Sequence, residues 1–168
     1  ETEITTTAAA VPSEAELMTI GSDSLGYIDI PSDWLTFFDP STYGMNSVQY
    51  SSPDLKSIIT MVSYDMTLVE NGIVTEEQLP SLDPYSMATG SYSLLTESGY
   101  QSVEAATVTL DGRTCYQVYG FLEENGGHTM LVAWYFTGDD GYTRYICFES
   151  PMDISLEVCA YIEGSYRL

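Results

Sequence analysis

Apolar and polar residues alternate along most of the chain, and this two-residue period is typical of β-strands. The run "GYIDIP" alternates and stops at Pro31, where a strand is expected to end. Two further runs, "SVQYSS" and "SIITMVSYDM", are joined by the turn sequence "PDLK" and predict a β-hairpin. The alternation divides the second run into two faces, with Ile58, Thr60, Val62 and Tyr64 on one and Ile59, Met61, Ser63 and Asp65 on the other.

The densest alternation lies in the second half of the chain, where four strand-like runs follow one another. They read "SVEAATVTL", "TCYQVYGFL", "HTMLVAWYF" and "YTRYICFE", and are separated by "DGR", "ENGG" and "TGDDG". Because Asp-Gly is a strong signal for a tight hairpin, the four runs predict an antiparallel meander. Both alternating faces of "TMLVAWYF" are apolar, and such a strand is covered on both faces. We therefore expect a layer on each side of the sheet.

Two segments carry the spacing of three and four residues that indicates an amphipathic helix. The first has Asp83 as its capping residue and Pro84 in its first turn, and it ends near Gly99. The second closes the chain, with Ser150 as its cap and Gly164 at its end. The predicted buried stripes are Tyr85, Ala88, Tyr92 and Leu95, then Ile154, Val158, Tyr161 and Ile162, with Asp153, Glu157 and Glu163 facing water.

These elements predict an α+β fold, an antiparallel sheet of about six strands with helices on both faces, which is an α/β/α sandwich. Residues 1–25 are dominated by Thr, Ala, Ser and Glu and bury too little apolar surface to offset the entropy of ordering. We interpret residues 1–25 as a flexible acidic tether and residues 26–168 as a single domain. Within the tether, Leu17, Met18 and Ile20 are the residues able to pack on the domain as a short arm.

The charge of the chain is strongly acidic, with 25 acidic and 4 basic residues and a net charge of −21. This charge repels nucleic-acid phosphates and anionic membrane surfaces, so we expect no nucleic-acid partner. We expect attachment to a membrane only through an N-terminal anchor outside this chain. Cations, basic peptides and neutral polymers such as glycans are compatible partners, whereas a bland alternative is that the charge only maintains solubility.

The residues that hold metals or drive catalysis are few. Cys115, Cys147 and Cys159 form no Cys-x-x-Cys pair, and His128 is the single histidine, so zinc and iron–sulfur sites are not expected. Neither His128 nor Cys115 has a catalytic partner at motif spacing, and no phosphate or dinucleotide motif occurs. We expect no cofactor and no catalytic residue. One disulfide with a free thiol and three buried thiols both remain compatible with the sequence.

Two loops offer candidate binding residues. Trp34, Phe37 and Phe38 form an apolar knot in "WLTFFDP", which is either an aromatic platform for a ligand or a plug for the core. We favour the plug, because large apolar residues tend to be buried. Asp139 and Asp140 in "TGDDG" are candidates for binding Ca²⁺, but the regular spacing of a calcium loop is missing and a plain turn is favoured.

The order of these elements resembles the PsbP-like fold. The resemblance rests on "IDIPSDW", on "VQYSSPDLKSIITMVSYD" and on the ending "IEGSYRL", with motifs at 31–34, 51–54 and 165–168, and it covers about residues 26–168. The fold is named for an extrinsic protein of the photosynthetic oxygen-evolving complex. A yeast nuclear-import factor that binds the GTPase Ran and small secreted lipoproteins of Gram-positive bacteria share it. The lipoprotein branch agrees best with the acidic charge, the tether and the single Lys.

This resemblance implies a protein that docks on others and is not an enzyme. We therefore expect an extracellular or cell-surface module, lipid-anchored and monomeric, that binds a protein or a cell-wall component. A small-ligand or cation-binding module at the cell surface is the second hypothesis, and an enzyme of unknown class is the third.

Overall fold

The computed structural model describes residues 16–124 and 126–168, where a large antiparallel sheet dominates an α+β fold. The helices are α1 (Met66–Glu70), α2 (Pro84–Glu97) and α3 (Met152–Ser165), with 3₁₀ turns at Pro40–Thr42 and Leu79–Ser81. The strands are β1 (Leu17–Ser22), β2 (Gly26–Pro31), β3 (Leu35–Thr36), β4 (Asn46–Ser51), β5 (Ile58–Tyr64), β6 (Gln101–Leu110), β7 (Arg113–Glu124), β8 (Gly127–Thr137) and β9 (Thr143–Pro151).

The large sheet has the strand order β3-β4-β5-β9-β8-β7-β6 and every pair in it is antiparallel. The predicted hairpin of β4 and β5 and the predicted meander from β6 to β9 are therefore confirmed. Asp111 and Gly112 have φ angles of 47° and 74° in the turn between β6 and β7. Positive φ at both central residues is the geometry that an Asp-Gly hairpin turn adopts.

One face of the sheet carries the main core. Trp134 and Phe136 of β8 are 0% exposed there, and they pack in one cluster with Phe148 of β9. The layer above them combines α3, through Ile162, with the hairpin of β1 and β2, through Ile28. Half of this layer is therefore a small sheet where the sequence predicted helix.

The opposite face has a less complete cover. Ala88 and Leu95 of α2 pack there on Val118, Ala133 and Tyr135. Because α2 lies over β6, β7 and β8, a groove is left open over β5 and β9. The helical cover is thus sparser than in the predicted α/β/α sandwich.

Leu17–Ser22 correct the predicted boundary of the tether, because they form β1. This strand pairs antiparallel with β2, and the side chain of Ile20 is only 4% exposed. The predicted short arm is therefore an integral strand, and "GYIDIP" belongs to this small hairpin rather than to the large sheet. Residues 1–15 of the predicted tether lie outside the described residues.

The ends and faces of the two longer helices agree with the sequence in part. Asp83 caps α2 as predicted, accepting a hydrogen bond from the Ser86 amide at 3.0 Å. Tyr85 and Tyr92 were predicted in its buried stripe, but they are 64% and 41% exposed because the helix lies near the edge of the sheet. Only Ala88 and Leu95 of that stripe are buried.

The start of α3 differs from the prediction. Ser150 does not cap the helix, because β9 continues through Pro151 and runs directly into α3. The helix also extends past Gly164 to Ser165. The side chains of Ile154, Val158, Asp153 and Glu157, for which a buried or a solvent-facing position was predicted, lie outside the described residues.

Glu163 was predicted to face water, yet it is half-buried and bound to the sheet. Its Oε1 atom accepts hydrogen bonds from Trp134 Nε1 at 3.0 Å and from Gln117 Nε2 at 2.7 Å. Trp134 is fully buried, and its indole N–H needs an acceptor. Glu163 therefore joins α3 to β8 and β7.

We expect Glu163→Ala to destabilise the protein by about 1–3 kcal/mol, because it leaves the buried Trp134 N–H without an acceptor. Urea denaturation measures this loss. Glu97→Ala, at the exposed end of α2, is the matched control and should change the free energy of unfolding by less than about 0.5 kcal/mol. Equal stability of the two variants would show that the hydrogen bond to Trp134 contributes nothing.

We expect Gly26→Ala to lower the free energy of unfolding by more than the backbone strain of a positive φ angle alone would. Gly26 has a φ of 77°, and a Cβ atom there would lie 2.2 Å from the hydroxyl of Tyr166, which is buried and donates to the Leu25 carbonyl. We expect a loss of about 1–3 kcal/mol from overpacking beyond the backbone strain. Gly112→Ala is the control, because its φ is 74° and no atom lies within 4 Å of its Cβ position. Chemical denaturation of both variants should separate the clash from the strain.

Candidate functional site

The predicted apolar knot at residues 34–38 divides between the core and the surface. Trp34 is half-buried and stacks on Phe148, with ring centroids 6.4 Å apart and an angle of 19° between the planes. It packs against the main core, as the plug interpretation expects. Phe37 and Phe38 instead remain 38% and 64% exposed. The structure therefore separates Trp34 from the two phenylalanines.

The two aspartates of the β8–β9 turn are each held by a different arginine. Arg113 Nη2 donates to Asp139 Oδ1 at 2.6 Å, and Arg144 Nη2 donates to Asp140 Oδ2 at 2.7 Å. Asp140 also accepts from the Tyr142 amide, a bond within the turn. No group of three or more metal-binding side chains occurs in the part of the chain that the structure describes. The two arginines therefore stabilise the turn between β8 and β9.

The histidine and the cysteines differ in their exposure to solvent. His128 is exposed at the start of β8. Cys115, Cys147 and Cys159 are buried and free, which selects three thiols over a disulfide. Burial raises the pKa of each thiol to about 12. The thiols stay protonated at neutral pH and are weak nucleophiles.

A groove of about 350 Å³ lies on the partly covered face of the sheet. Its floor consists of side chains from the three adjacent strands β5, β9 and β8, and one wall is the segment 37–45. We call it the tyrosine groove. Its floor residues are Ile58, Thr60, Val62, Tyr64, Tyr145, Cys147, Glu149, Leu131 and Tyr135, and its wall residues are Phe37, Asp39, Ser41, Thr42 and Met45.

Gln49 holds this wall in place. It lies on β4, is 5% exposed, and accepts a hydrogen bond from the Asp39 amide at 3.1 Å. Its Nε2 atom donates to Thr42 Oγ1 at 2.8 Å. The Asp39 carboxylate in turn accepts from the Ser41 amide at 2.8 Å and caps the 3₁₀ turn. The wall is therefore tied to the sheet by a satisfied, buried amide.

Three tyrosines form an aromatic row along the groove. The ring of Tyr145 lies 6.4 Å from that of Tyr64 and 5.0 Å from that of Tyr135, centroid to centroid. Burial raises the pKa of Tyr64 to about 12 and raises the pKa values of Tyr135 and Tyr145 as well. All three remain neutral phenols at physiological pH, so the row offers aromatic surface and hydroxyl groups.

Glu149 lies in β9, between Ile58 of β5 and Leu131 of β8 in the register of the sheet. It is half-buried, and burial raises the pKa of its carboxyl group, with a further increase from the charge of Asp39. No described residue donates a hydrogen bond to this carboxylate or pairs with it as a cation. An ionised carboxylate that is partly buried and has no hydrogen-bond donor is energetically unfavourable. A proton or a cation at Glu149 would therefore stabilise it.

The side chains that line the groove offer several kinds of contact to a ligand. Aromatic faces and a carboxylate attract cationic groups, and hydroxyls add hydrogen bonds. The thiol of Cys147 is held protonated by burial, so it supplies no thiolate.

Sequence reasoning missed Glu149, Gln49 and the row of tyrosines. The strand alternation did place Tyr64 on one face with Ile58, Thr60 and Val62, and all four of these residues line the groove. One available signal was Glu149, a charged residue directly after the apolar run "YICF" of its strand. Such a residue marks either an exposed face or a site.

The fold is shared with solved structures, although the sequence is not. Cyanobacterial PsbP (CyanoP) from Synechocystis sp. PCC 6803 matches at 12% identity and a TM-score of 0.59, over 96% of this chain and 97% of that chain. A protein from Bacteroides thetaiotaomicron VPI-5482 matches at 15% identity and a TM-score of 0.51, over 85% of this chain, which spans 44% of that protein. LpqN of Mycobacterium tuberculosis, involved in cell envelope biogenesis, is more distant, with 11% identity over 94% of this chain and 80% of that chain and a TM-score of 0.42.

No family model matches the sequence, and no curated protein matches it. The structural match to CyanoP shows that the chain has a PsbP-like fold, which confirms the resemblance at the level of architecture. At this identity the likeness extends to the fold alone. Among the helices described by the structure, none has the length and apolar character that a membrane crossing requires.

Glu149→Gln should stabilise the protein at neutral pH. The pKa of Glu149 is raised on folding, so its ionised form lowers stability above the pKa of the unfolded chain and has no such effect below it. We expect a gain of about 1 kcal/mol, seen as an increase in melting temperature of about 2–4 °C, that disappears as the pH falls to about 4. Thermal melting across this pH range measures it.

Glu104→Gln is the matched control, because Glu104 is an exposed carboxylate on β6 outside the groove. It should leave the melting temperature nearly unchanged at every pH. A gain for Glu149→Gln that persists at acidic pH would contradict the assignment of the raised pKa to this residue.

Proposed function

We propose that this chain is a non-enzymatic docking module of PsbP-like fold that works outside the cytoplasm. It belongs to a secreted or lipid-anchored protein and binds a protein or a cell-wall component. The observation that carries the proposal is a concentration of exposed apolar side chains next to the tyrosine groove.

Four of the ten large apolar residues exposed in the described part of the chain fall within residues 35–43. Leu35, Phe38 and Tyr43 are 56%, 64% and 79% exposed, and the rings of Phe38 and Tyr43 meet edge to face at 6.4 Å. We call these three residues the apolar shoulder. Exposed apolar residues grouped in this way are typical of interaction sites.

The position of the shoulder supports a docking role. Phe38 and Tyr43 lie in the segment 37–45 that forms the wall of the tyrosine groove, and Leu35 lies in the adjoining strand β3. Gln49 fixes the wall segment on the sheet. A partner seated on the shoulder would therefore meet a rigid surface with a cavity beside it. A preformed surface lowers the entropic cost of binding.

The extracytoplasmic setting is proposed from the sequence. The strongly acidic charge and the Thr- and Ser-rich first segment agree with the lipoprotein branch of the PsbP-like fold. CyanoP, which shares the fold over nearly the whole chain, provides the architectural precedent.

A second candidate function is the binding of a small ligand at the cell surface. The tyrosine groove favours it, because a cavity of about 350 Å³ with aromatic walls and a few polar groups has the size of a small-molecule site. The two functions differ in whether the exposed shoulder takes part.

Photo-cross-linking in the cell that makes the protein tests the docking function. We expect benzoylphenylalanine placed at Phe38 to give one discrete adduct with a protein or wall polymer, because this position lies in the interface. The same group placed at Leu94, which is 63% exposed on α2, should not give that adduct. The absence of any adduct from position 38, or identical adducts from both positions, would contradict the proposal.

A further inference from the structure

The two edge strands of the large sheet differ greatly in length. At one end of the sheet β3 has two residues, and at the other end β6 has ten. A bulge separates Gln101 from Glu104 at the start of β6, so the regular part of this edge is residues 104–110. An edge strand presents backbone N–H and C=O groups that can pair with a further strand, and folded proteins usually protect a long edge.

The turn after β6 determines which of its backbone groups point away from β7. Leu110 pairs with Arg113 directly across a two-residue turn, so these two residues exchange both of their ladder hydrogen bonds. Hydrogen-bonded pairs alternate with non-bonded pairs along an antiparallel ladder. The N–H and C=O groups of Ala105, Thr107 and Thr109 therefore face the open edge.

The side chains along this edge do not block an added strand. Residues 104–110 read "EAATVTL" and lack the Lys and Pro residues that commonly protect an edge, and Glu104 is their only charged residue. Ala105, Ala106 and Thr107 are exposed. Among the strands that the structure describes, β7 alone pairs with β6. The edge is therefore extended, nearly uncharged and open.

A pocket of about 300 Å³ lies beside this edge, between β6 and α2. Ala105 and Thr107 of β6 line it together with the exposed rings of Tyr85 and Tyr92 of α2. Because side chains alternate between the two faces of a sheet, every second side chain of a strand added to β6 would lie on the same face as α2. The pocket is placed to receive one of those side chains.

We propose that β6 binds an extended segment of a partner protein, which joins the large sheet as an eighth strand. The backbone groups at the open edge bond the backbone of that segment, and the pocket beside Tyr85 and Tyr92 takes one of its apolar side chains. In this mode of recognition the main-chain bonds give affinity and the side-chain pocket gives specificity. The inference goes beyond the docking function proposed above, because Leu35 of the apolar shoulder lies in β3, at the other end of the sheet.

Electrostatics favours a basic partner over this chain itself as the source of the added strand. Each copy of the chain has a net charge of −21, so two copies joined at their edges would repel each other. Residues 1–15 contain three glutamates and no Lys or Arg, so repulsion disfavours that segment as well. Glu123 and Glu124 are exposed at the end of β7 that extends past the start of β6. The segment that we propose therefore carries Lys or Arg beside its apolar residues.

The test uses the full chain and the peptide N-acetyl-Lys-Thr-Val-Leu-Val-Thr-Lys-amide. We expect the peptide to bind and to shift the backbone amide signals of Ala105, Thr107 and Thr109 in NMR spectra. Thr107→Pro removes an outward N–H without removing a bond to β7, and should weaken binding at least about tenfold. Thr107→Ala is the matched control, because it removes the same side chain but keeps the N–H, and it should bind like the unmodified chain. The amide signals of β7 report whether each variant is folded.

Two methylated peptides test the same bonds without changing the protein. One carries N-methyl groups on both valines and the other on the leucine, so each has a different edge blocked. We expect one of the two to lose binding and the other to keep it, because a single edge of the peptide faces β6. A peptide that does not bind, equal binding to Thr107→Pro and Thr107→Ala, or the same effect of both methylation patterns would each overturn the inference.

Photo-cross-linking in the cell identifies the natural occupant of the edge. We expect benzoylphenylalanine placed at Ala106 to give an adduct with another protein. An adduct of twice the mass of the chain would show a second copy, and a cross-link to residues 1–15 would show the chain's own first segment, and either result would overturn the inference. Failure of these tests with an intact adduct from position 38 would leave the proposed docking function standing.

Discussion

The structure depends on a strand that must be covered on both faces. Trp134 and Phe136 of β8 point to one side and Ala133 and Tyr135 to the other, and each of the four is at most 5% exposed. Burying a large apolar side chain contributes about 1.5–3 kcal/mol, so neither face of this strand can be left in water. The two faces are covered unequally, by α3 and the hairpin of β1 and β2 on the side of Trp134 and by the single helix α2 on the side of Ala133. The tyrosine groove exists because the second cover ends before the sheet does.

The distribution of the few basic residues reinforces this division. Three arginines brace the turns and the chain end, and Arg144 does so while only 2% exposed, with a hydrogen bond from its Nη1 atom to Ser63 Oγ at 2.8 Å. The same arginines are unavailable to Glu149, which is half-buried and has no partner among the residues that the structure describes. The arginine ion pairs therefore lie in the turns and at the chain end, whereas the unpaired carboxylate of Glu149 lies in the groove, where the sheet is not covered by a helix. Groups held in an unfavourable state by an otherwise stable scaffold are common at binding sites.

The sequence predicted most of the sheet, because alternation and turn residues act locally. The hairpin of β4 and β5, the meander and the cap at Asp83 follow from residues that are close in the chain. Tyr85 and Glu163 were misplaced for a common reason: a helical period shows which side of a helix a residue occupies, but the exposure of that side depends on how far the neighbouring layer extends. β1 was missed as a strand because residues 1–25 as a whole have the composition of a linker, and the order of β1 comes from pairing with β2 and from burial of Ile20.

The site could not be predicted from the sequence, because the exposure of its residues also depends on which other segment of the chain covers them. In an alternating strand, a polar residue such as Glu149 or Gln49 reads as a side chain in water. Segment 37–45 changes that reading, because Gln49 fixes it over the sheet and it converts an open face into a groove. The sequence placed its aromatic residues in a single knot, whereas the fold sends Trp34 inward and leaves Phe38 outside. Within this one segment, the tryptophan is therefore anchored to the core while the phenylalanine stays at the surface.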